Sequence, residues 1–366
     1  MSLQEAKRTL SRVLASGNNR VVALSGKCGT GKTRLWETVR LESHNGRLAS
    51  SIYVSLFGIA NVEQLGLKLL QKTLSIESGS VYVADDERNL PSTTSGFIHR
   101  WSKAISVIPD FARLSVPSAL RGQLVVLDDV ARKHSSLKLA DVLSFIERLS
   151  THHNVRFLII INSDQLDENS KRLWGVFQQE VLDCEVNLGL TAEEAFEMAI
   201  GRGRPTHYHA IRKAVAFFNI TNVRLLLRIS LVFEQMLGNH PDLPDSVLSK
   251  LAPATVLLCA IHFGGIQKGM NFGFFSRFVD LDCNCTVDEC EKHNDDDLVF
   301  LWKTLLNDAG LGISEEFESI IIDYLVAGSL DKARVSKALD QCIANEKKLH
   351  SEVFLHIIRD LVVWHH

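Results

Sequence analysis

The chain has 366 residues, of which 46% are hydrophobic and 23% charged, a composition typical of globular proteins and long enough for two domains. The seven cysteines fit reduced thiols better than a disulfide framework. No apolar run approaches the ~20 residues that span a bilayer, and the polar N-terminus lacks the apolar core of a signal peptide. We therefore expect a cytoplasmic protein that has no membrane partner.

The net charge of −3 is distributed unevenly. Residues 1–240 carry about +6 and residues 241–366 about −9. A positive bias suits a front part that holds a polyanion. The acidic back part disfavours broad electrostatic binding of nucleic acid by that segment, and it could instead meet the basic face of another subunit or partner.

In chain order, the first elements are an amphipathic helix and a short apolar strand. Residues 1–20 have apolar positions at helical spacing, and residues 21–24 form the apolar run. Residues 26–33 then read G-x-x-x-x-G-K-T, and a helical pattern continues from Lys32 to Ser43. Strand, glycine loop and helix is the context that a phosphate-binding loop requires, so a chance match on an ordinary strand–helix turn is disfavoured.

The loop has the groups needed to hold a triphosphate. Its glycines allow successive backbone N–H groups to form an anion nest in front of a helix N-terminus, which favours phosphate. Lys32 can reach the β- and γ-phosphates, and Thr33 can offer its hydroxyl to Mg²⁺. The predicted nucleotide-contacting residues, which include two flanking basic side chains, are Gly26, Lys27, Cys28, Gly29, Thr30, Gly31, Lys32, Thr33 and Arg34.

The remaining strand signals alternate with helices up to about residue 205. Apolar strands are predicted at 51–57, 123–127, 156–161 and 184–188. Helices are predicted at 62–73, 97–108, 110–120 and 138–149. A further helix is predicted after Thr191, where Thr-x-x-Glu predicts a capping box with Glu194. This alternation predicts an α/β fold with a doubly wound, mostly parallel sheet. Residues 75–96 read as a loop, and the pattern after 205 is helical. We predict a core at 1–205, a helical lid at 206–240 and an all-α C-terminal domain at 241–366.

Two carboxylates end the apolar strand at 123–127. Because strand C-termini face the ligand crevice of a parallel sheet, Asp128 is placed to hold Mg²⁺ and Asp129 to polarise an attacking water as a general base. Asn162 follows the next apolar strand and could hydrogen-bond the γ-phosphate or the water, although Asn-Ser-Asp is also ordinary turn chemistry.

Basic side chains further along the chain are candidates for sensing the γ-phosphate. Arg224 and Arg228 lie four residues apart on one predicted helix face, where a guanidinium could stabilise developing charge. The alternative is a solvated basic face. Arg132, just after the acidic pair, is a further candidate for a sensor or intersubunit arginine.

A cysteine and histidine cluster in the C-terminal part invites a zinc interpretation. Cys283, Cys285, Cys290 and His293 could complete a tetrahedral Cys₃His set for Zn²⁺. Their compact spacing, C-x-C-x₄-C-x₂-H, differs from paired C-x₂-C knuckles. We favour the alternative, an acidic polar loop with reduced thiols.

The motifs together resemble those of KAP-type P-loop NTPases and related bacterial P-loop ATPases of the AAA+/STAND group. The resemblance covers roughly residues 1–235 and is carried by the segments 23–33, 53–59, 126–132, 157–162, 177–183 and 221–224. It implies ATP binding and hydrolysis with Mg²⁺, nucleotide-dependent homo-oligomerisation, and a role in antiphage defence, in some cases with a protein effector or sensor partner. It assigns the phosphate and metal roles to Lys32, Thr33 and Asp128 and the water-activating role to Asp129.

Two residues depart from the pattern of these relatives. Ala131 precedes Arg132 where a third carboxylate is usual, and Cys28 occupies a position where a bulky aromatic residue is common. Neither change removes a residue needed for binding, but both leave the rate of hydrolysis open.

Three functions are compatible with the sequence. The leading one is a Mg²⁺-dependent ATPase that acts as a nucleotide-controlled assembly switch in antiphage defence. The second is a nucleotide-binding scaffold that hydrolyses little or nothing. The third is a DNA-stimulated motor, which the acidic C-terminal part disfavours.

Overall fold

A computed structural model describes residues 1–43, 45–77, 116–201, 203, 205–264 and 315–363. By its contacts the chain divides into two compact units, Met1–Leu190 and Thr191–His366. The predicted boundaries at 205 and 240 remain predictions. Several sequence features lie outside the described residues: the helix at 97–108, most of the helix at 110–120, and the cysteine and histidine cluster at 283–293.

The first unit alternates strands and helices, as the sequence predicts. Its elements are α1 Leu3–Ser16, β1 Val21–Gly26, α2 Lys32–Glu42, α3 Gly46–Ala49, β2 Ile52–Ser55, α4 Val62–Glu77, β3 Leu124–Asp128, α5 Leu139–His153, β4 Arg156–Asn162, α6 Glu168–Glu180 and β5 Cys184–Asn187.

The five strands form one sheet in the order β2-β3-β4-β1-β5, and every described pairing is parallel. The connection that leaves β1 runs toward β2 at one edge, whereas those that leave β3 and β4 run in the opposite direction. Strand order therefore reverses at β1. In open α/β sheets the ligand crevice lies outside the carboxyl ends of the strands at such a reversal.

Helices cover both faces of the sheet, which explains why its inner strands are apolar throughout. Val21 and Ala23 belong to a buried cluster with residues of α4, α5 and α6. Val22 and Leu24 alternate with them and are buried as well, and both α1 and α2 contact β1. Since side chains alternate along a strand, the polar residues Tyr53, Ser55, Asp128 and Asn162 lie on the face opposite that cluster.

Helix α4 is longer than the sequence predicts, because it continues to Glu77 rather than ending near residue 73. Two hydroxyl side chains in this last part donate back to carbonyls one turn earlier, Thr73 to Leu69 and Ser75 to Gln71, each at 2.9 Å. These bonds satisfy the hydroxyl groups within the helix, and each one shares a backbone carbonyl oxygen one turn earlier.

Every regular element described in the second unit is a helix, in agreement with the predicted all-α C-terminal region. The capping box predicted at its start is present, since Thr191 accepts from the backbone of Glu194 and the Glu194 side chain accepts from the backbone of Thr191. The helices are α7 Ala192–Ile200, α8 Tyr208–Phe217, α9 Val223–Leu237, α10 Asp245–His262, α11 Glu315–Ala327 and α12 Lys332–Val363.

Within these described segments, no helix has the length and apolar character needed to span a membrane.

Candidate nucleotide-binding site

The turn between β1 and α2 has the backbone that the glycine motif predicts. Gly29 and Gly31 adopt positive φ angles of 77° and 79°, which glycine adopts without strain. Gly26 has φ 151°, and a Cβ atom there would lie 2.5 Å from the carbonyl oxygen of Leu188. Both its backbone conformation and the adjacent segment after β5 therefore require glycine at the first position of the loop.

Lys32 is the first residue of α2 and is only 4% exposed. Its ammonium group donates to the carbonyl oxygens of Gly26 at 2.9 Å and Lys27 at 2.6 Å, so the side chain folds back over the loop. Thr30 also closes the loop, since its hydroxyl donates to the Lys27 carbonyl at 2.9 Å. The flanking basic residues Lys27 and Arg34 are exposed.

The predicted magnesium ligands are in direct contact. The Thr33 hydroxyl donates to Oδ2 of Asp128 at 2.6 Å, although the two residues are 95 positions apart in the sequence. A hydroxyl and a carboxylate suit Mg²⁺, which usually takes one or two protein oxygens and completes its octahedron with phosphate oxygens and water. This pair of donors therefore fits the predicted metal role.

Asp128 is held by two further groups. Its Oδ1 accepts from the backbone N–H of Asp129 at 2.6 Å, and its Oδ2 also accepts from the Tyr53 hydroxyl at 3.0 Å. Burial raises the pKa of the Asp128 carboxyl above its ordinary value, and the bonds from Thr33, the Asp129 amide and Tyr53 oppose that rise. The sequence reasoning did not identify Tyr53.

Asp129, the predicted general base, is engaged by neighbours. It adopts a left-handed backbone conformation with φ 56°. Its Oδ2 accepts from the Ser55 hydroxyl at 2.8 Å, and its Oδ1 lies 3.6 Å from a guanidinium nitrogen of Arg132. The Arg132 guanidinium also stacks over the exposed Phe57 ring at 4.9 Å. These contacts occupy part of the acceptor capacity of the Asp129 carboxylate.

Asn162 lies at the carboxyl end of β4, directly opposite Gly26 in the sheet register. The strand order therefore places it between the phosphate loop and the acidic end of β3. Its side-chain amide donates to Gln165 at 3.2 Å. A contact with the γ-phosphate or water remains a prediction.

Asp164 contacts the phosphate loop, although the sequence indicated only a turn at this position. The backbone N–H of Cys28 donates to both carboxylate oxygens of Asp164, at 2.9 and 3.1 Å. Asp164 belongs to the single 3₁₀ turn Ser163–Gln165 that follows β4. Its position in the run Asn-Ser-Asp after an apolar strand was visible in the sequence, but its partner, 136 residues away, was not.

Of the three arginines predicted as sensors, Arg132 lies in the first unit, and Arg224 and Arg228 lie in the second. Arg224 and Arg228 are both exposed on α9, whose first turn is capped by the Asn222 side chain. Arg228 stacks over the Phe263 ring at 4.6 Å. A role for Arg224 at the phosphate site remains a prediction.

No group of three or more histidine, cysteine or acidic side chains is arranged for a metal ion in the part of the chain that the structure describes. The four predicted zinc ligands, Cys283, Cys285, Cys290 and His293, lie outside that part, so the zinc interpretation is untested.

No family model and no curated protein matches this sequence. Among solved structures, the chain is similar to Cdc6p from Pyrobaculum aerophilum, with 13% identity, coverage of 92% of this chain and 94% of that chain, and a TM-score of 0.42. It is also similar to a structure of two coordinating Pif1 helicases at forked dsDNA, with 13% identity, coverage of 64% and 52%, and a TM-score of 0.24. For Drosophila ORC bound to DNA the identity is 11%, the coverage 70% and 60%, and the TM-score 0.24.

These low TM-scores make the likenesses too weak to carry a functional argument. The fold assignment rests on the molecule itself: a five-stranded parallel sheet, a glycine loop between β1 and α2, and an acidic residue at the end of β3 bonded to that loop's threonine. The first unit has an α/β P-loop fold, and helices follow it.

Proposed function

We propose that the chain binds ATP with Mg²⁺ at the loop 26–33 and hydrolyses it. The observation that carries this proposal is the 2.6 Å hydrogen bond between Thr33 and Asp128, because it joins the loop and the acidic strand end into one oxygen-donor pair. If the glycine motif were a chance match, a buried carboxylate bonded to its threonine would not be expected at the end of β3.

Each group then has a defined task. The loop amides and the N-terminus of α2 hold the phosphates, and Lys32 turns from its loop carbonyls toward them. Thr33 and Asp128 would hold Mg²⁺, which would neutralise phosphate charge when bound. Asp129 orients water and accepts its proton through acceptor sites that Ser55 and Arg132 leave available.

Isothermal titration calorimetry with ATP and Mg²⁺ tests the binding step. Lys32→Ala is expected to weaken ATP binding roughly tenfold or more, because it removes a charge-assisted contact with the phosphates. Lys7→Ala is the matched control, since Lys7 is a lysine of α1 that pairs with Glu42 at 2.6 Å. Absence of ATP and GTP binding by the folded wild-type protein would refute the proposal.

A nucleotide-binding scaffold with little hydrolysis is the second candidate, and one observation favours it. Asp129 is engaged by both Ser55 and Arg132, which compete with an attacking water for its carboxylate oxygens. Turnover of wild type, Asp129→Ala and Arg132→Ala, measured at saturating ATP, separates the two candidates. An ATPase loses turnover in Asp129→Ala, whereas a scaffold shows the same negligible rate in all three proteins.

We further propose that ATP controls self-assembly, and that this assembly serves antiphage defence. Both ideas rest on the resemblance of the motifs to KAP-type and STAND ATPases. Light scattering after size-exclusion chromatography, with ATP or ADP present, is expected to show a larger species with ATP. In a bacterial host, plaque formation is expected to drop with the wild-type protein and not with Lys32→Ala.

A further inference from the structure

The phosphate loop already holds a carboxylate. Both oxygens of Asp164 accept the Cys28 N–H, at 2.9 and 3.1 Å, and Cys28 lies within the proposed nest of phosphate-binding amides. The contact follows from the sheet register, because Gly26 pairs with Asn162 and so brings the turn after β4 beside the loop after β1.

A second donor that would serve the phosphates also has acceptors within the chain. The Lys32 ammonium binds the carbonyl oxygens of Gly26 and Lys27, so this group and the Cys28 amide are both engaged by the protein itself. A polyphosphate has to take over these donors. Asp164 presents a negative charge at one of them, and two anions brought to the same amide repel each other.

We propose that Asp164 is an internal competitor of the nucleotide, which sets its affinity and is displaced from Cys28 when the polyphosphate binds. The proposal rests on the nucleotide-binding function proposed above. Because Ser163–Gln165 is joined to α6 through only Leu166 and Asp167, displacement releases the turn and frees the segment that leads into that helix.

Affinity measurements on Asp164 variants test the competition. Asp164→Ala removes both the charge and the acceptor, and is expected to lower the Kd for ATP roughly threefold to tenfold, since a contact made by an exposed charged group contributes only modestly to the free energy. Asp164→Asn removes the charge but keeps an acceptor, so its Kd should lie between those of Asp164→Ala and wild type.

Asp167→Asn is the matched control. It removes the same charge three residues further along, while asparagine can keep the N-cap bond that Asp167 makes to the Ser170 N–H at 2.6 Å. Its Kd for ATP should equal that of wild type. An unchanged or higher Kd in Asp164→Ala, or an equal gain in Asp167→Asn, would overturn the competitor role.

Hydrogen exchange of the wild-type protein tests the displacement directly. Saturating ATP is expected to slow exchange in the loop 26–33 and to speed exchange in residues 163–166. Slower exchange in both segments would mean that Asp164 stays in place or joins the bound nucleotide, and would contradict the proposal. Absence of ATP binding by wild type and all variants would instead refute the proposed function itself.

Discussion

Replacing Tyr53 by phenylalanine removes one hydroxyl from the surroundings of Asp128 and leaves the ring in place. The Tyr53 hydroxyl donates to Oδ2 of Asp128 at 3.0 Å, and this bond lowers the pKa of a carboxyl that burial raises. Without it the pKa rises further. Because Mg²⁺ requires the ionised carboxylate, the acid limb of Mg²⁺ binding in Tyr53→Phe is expected to move to higher pH.

The size of the effect follows from the loss of one hydrogen bond to a charged group. Such bonds contribute about 1.5–3 kcal/mol, and the lower end applies here because Thr33 still donates to Oδ2 and the Asp129 amide to Oδ1. About 1.5 kcal/mol corresponds to an affinity for Mg²⁺ that is roughly tenfold lower on the acid side. At pH values well above the pKa of Asp128, the two proteins should converge.

The assay is a titration of Mg²⁺ into the ATP-bound protein, repeated from acidic to neutral pH. Tyr208→Phe is the control, because its hydroxyl also donates to a carboxylate, that of Glu197, in the second unit. The reasoning fails if the acid limb of Tyr53→Phe coincides with that of wild type, or if Tyr208→Phe shifts it equally.

Three further substitutions are predicted to change stability, each measured as a free energy of unfolding in urea. Gly26→Ala should cost about 3 kcal/mol, because of backbone strain and because the new Cβ atom would lie 2.5 Å from the Leu188 carbonyl oxygen. Gly122→Ala should cost only about 1 kcal/mol, because Gly122 has a φ of 74° but open space around it. Equal costs would contradict the steric argument. Asp183→Ala should cost about 2 kcal/mol, because Oδ2 accepts two N–H groups at the start of β1, at 2.6 and 2.8 Å, and Asp183→Asn should recover part of this loss. Asp128→Asn should become more stable than wild type as pH rises through the pKa of Asp128, because the wild-type protein loses stability over that pH range when a carboxyl whose pKa is raised on folding ionises. It should also abolish the dependence of ATP binding on Mg²⁺. A loss of stability at neutral pH would show that the hydrogen bonds to the carboxylate outweigh the cost of burying it.

Local features of the chain were sufficient to predict much of the fold. The apolar runs at 21–24, 123–127 and 156–161 became inner strands, because strands covered on both faces must be apolar throughout. The G-x-x-x-x-G-K-T spacing predicted the loop because it is a local signal: glycine adopts without strain the positive φ angles that Gly29 and Gly31 have there. The capping box at Thr191 was predicted for the same reason, because all its groups lie within four residues.

The sequence by itself thus determined the α/β class, the phosphate loop and the presence of an acidic strand end. Tertiary structure alone decided which groups meet there. Asp128 accepts hydrogen bonds from Tyr53, 75 positions away in the sequence, and from Thr33, 95 positions away. Asp164 accepts from the backbone N–H of Cys28, 136 positions away. These contacts depend on strand order and register, which arise from the packing of the whole sheet and leave no local spacing in the chain. For the same reason Asp129 could be predicted as a base from its position, but its engagement by Ser55, from another strand, could not.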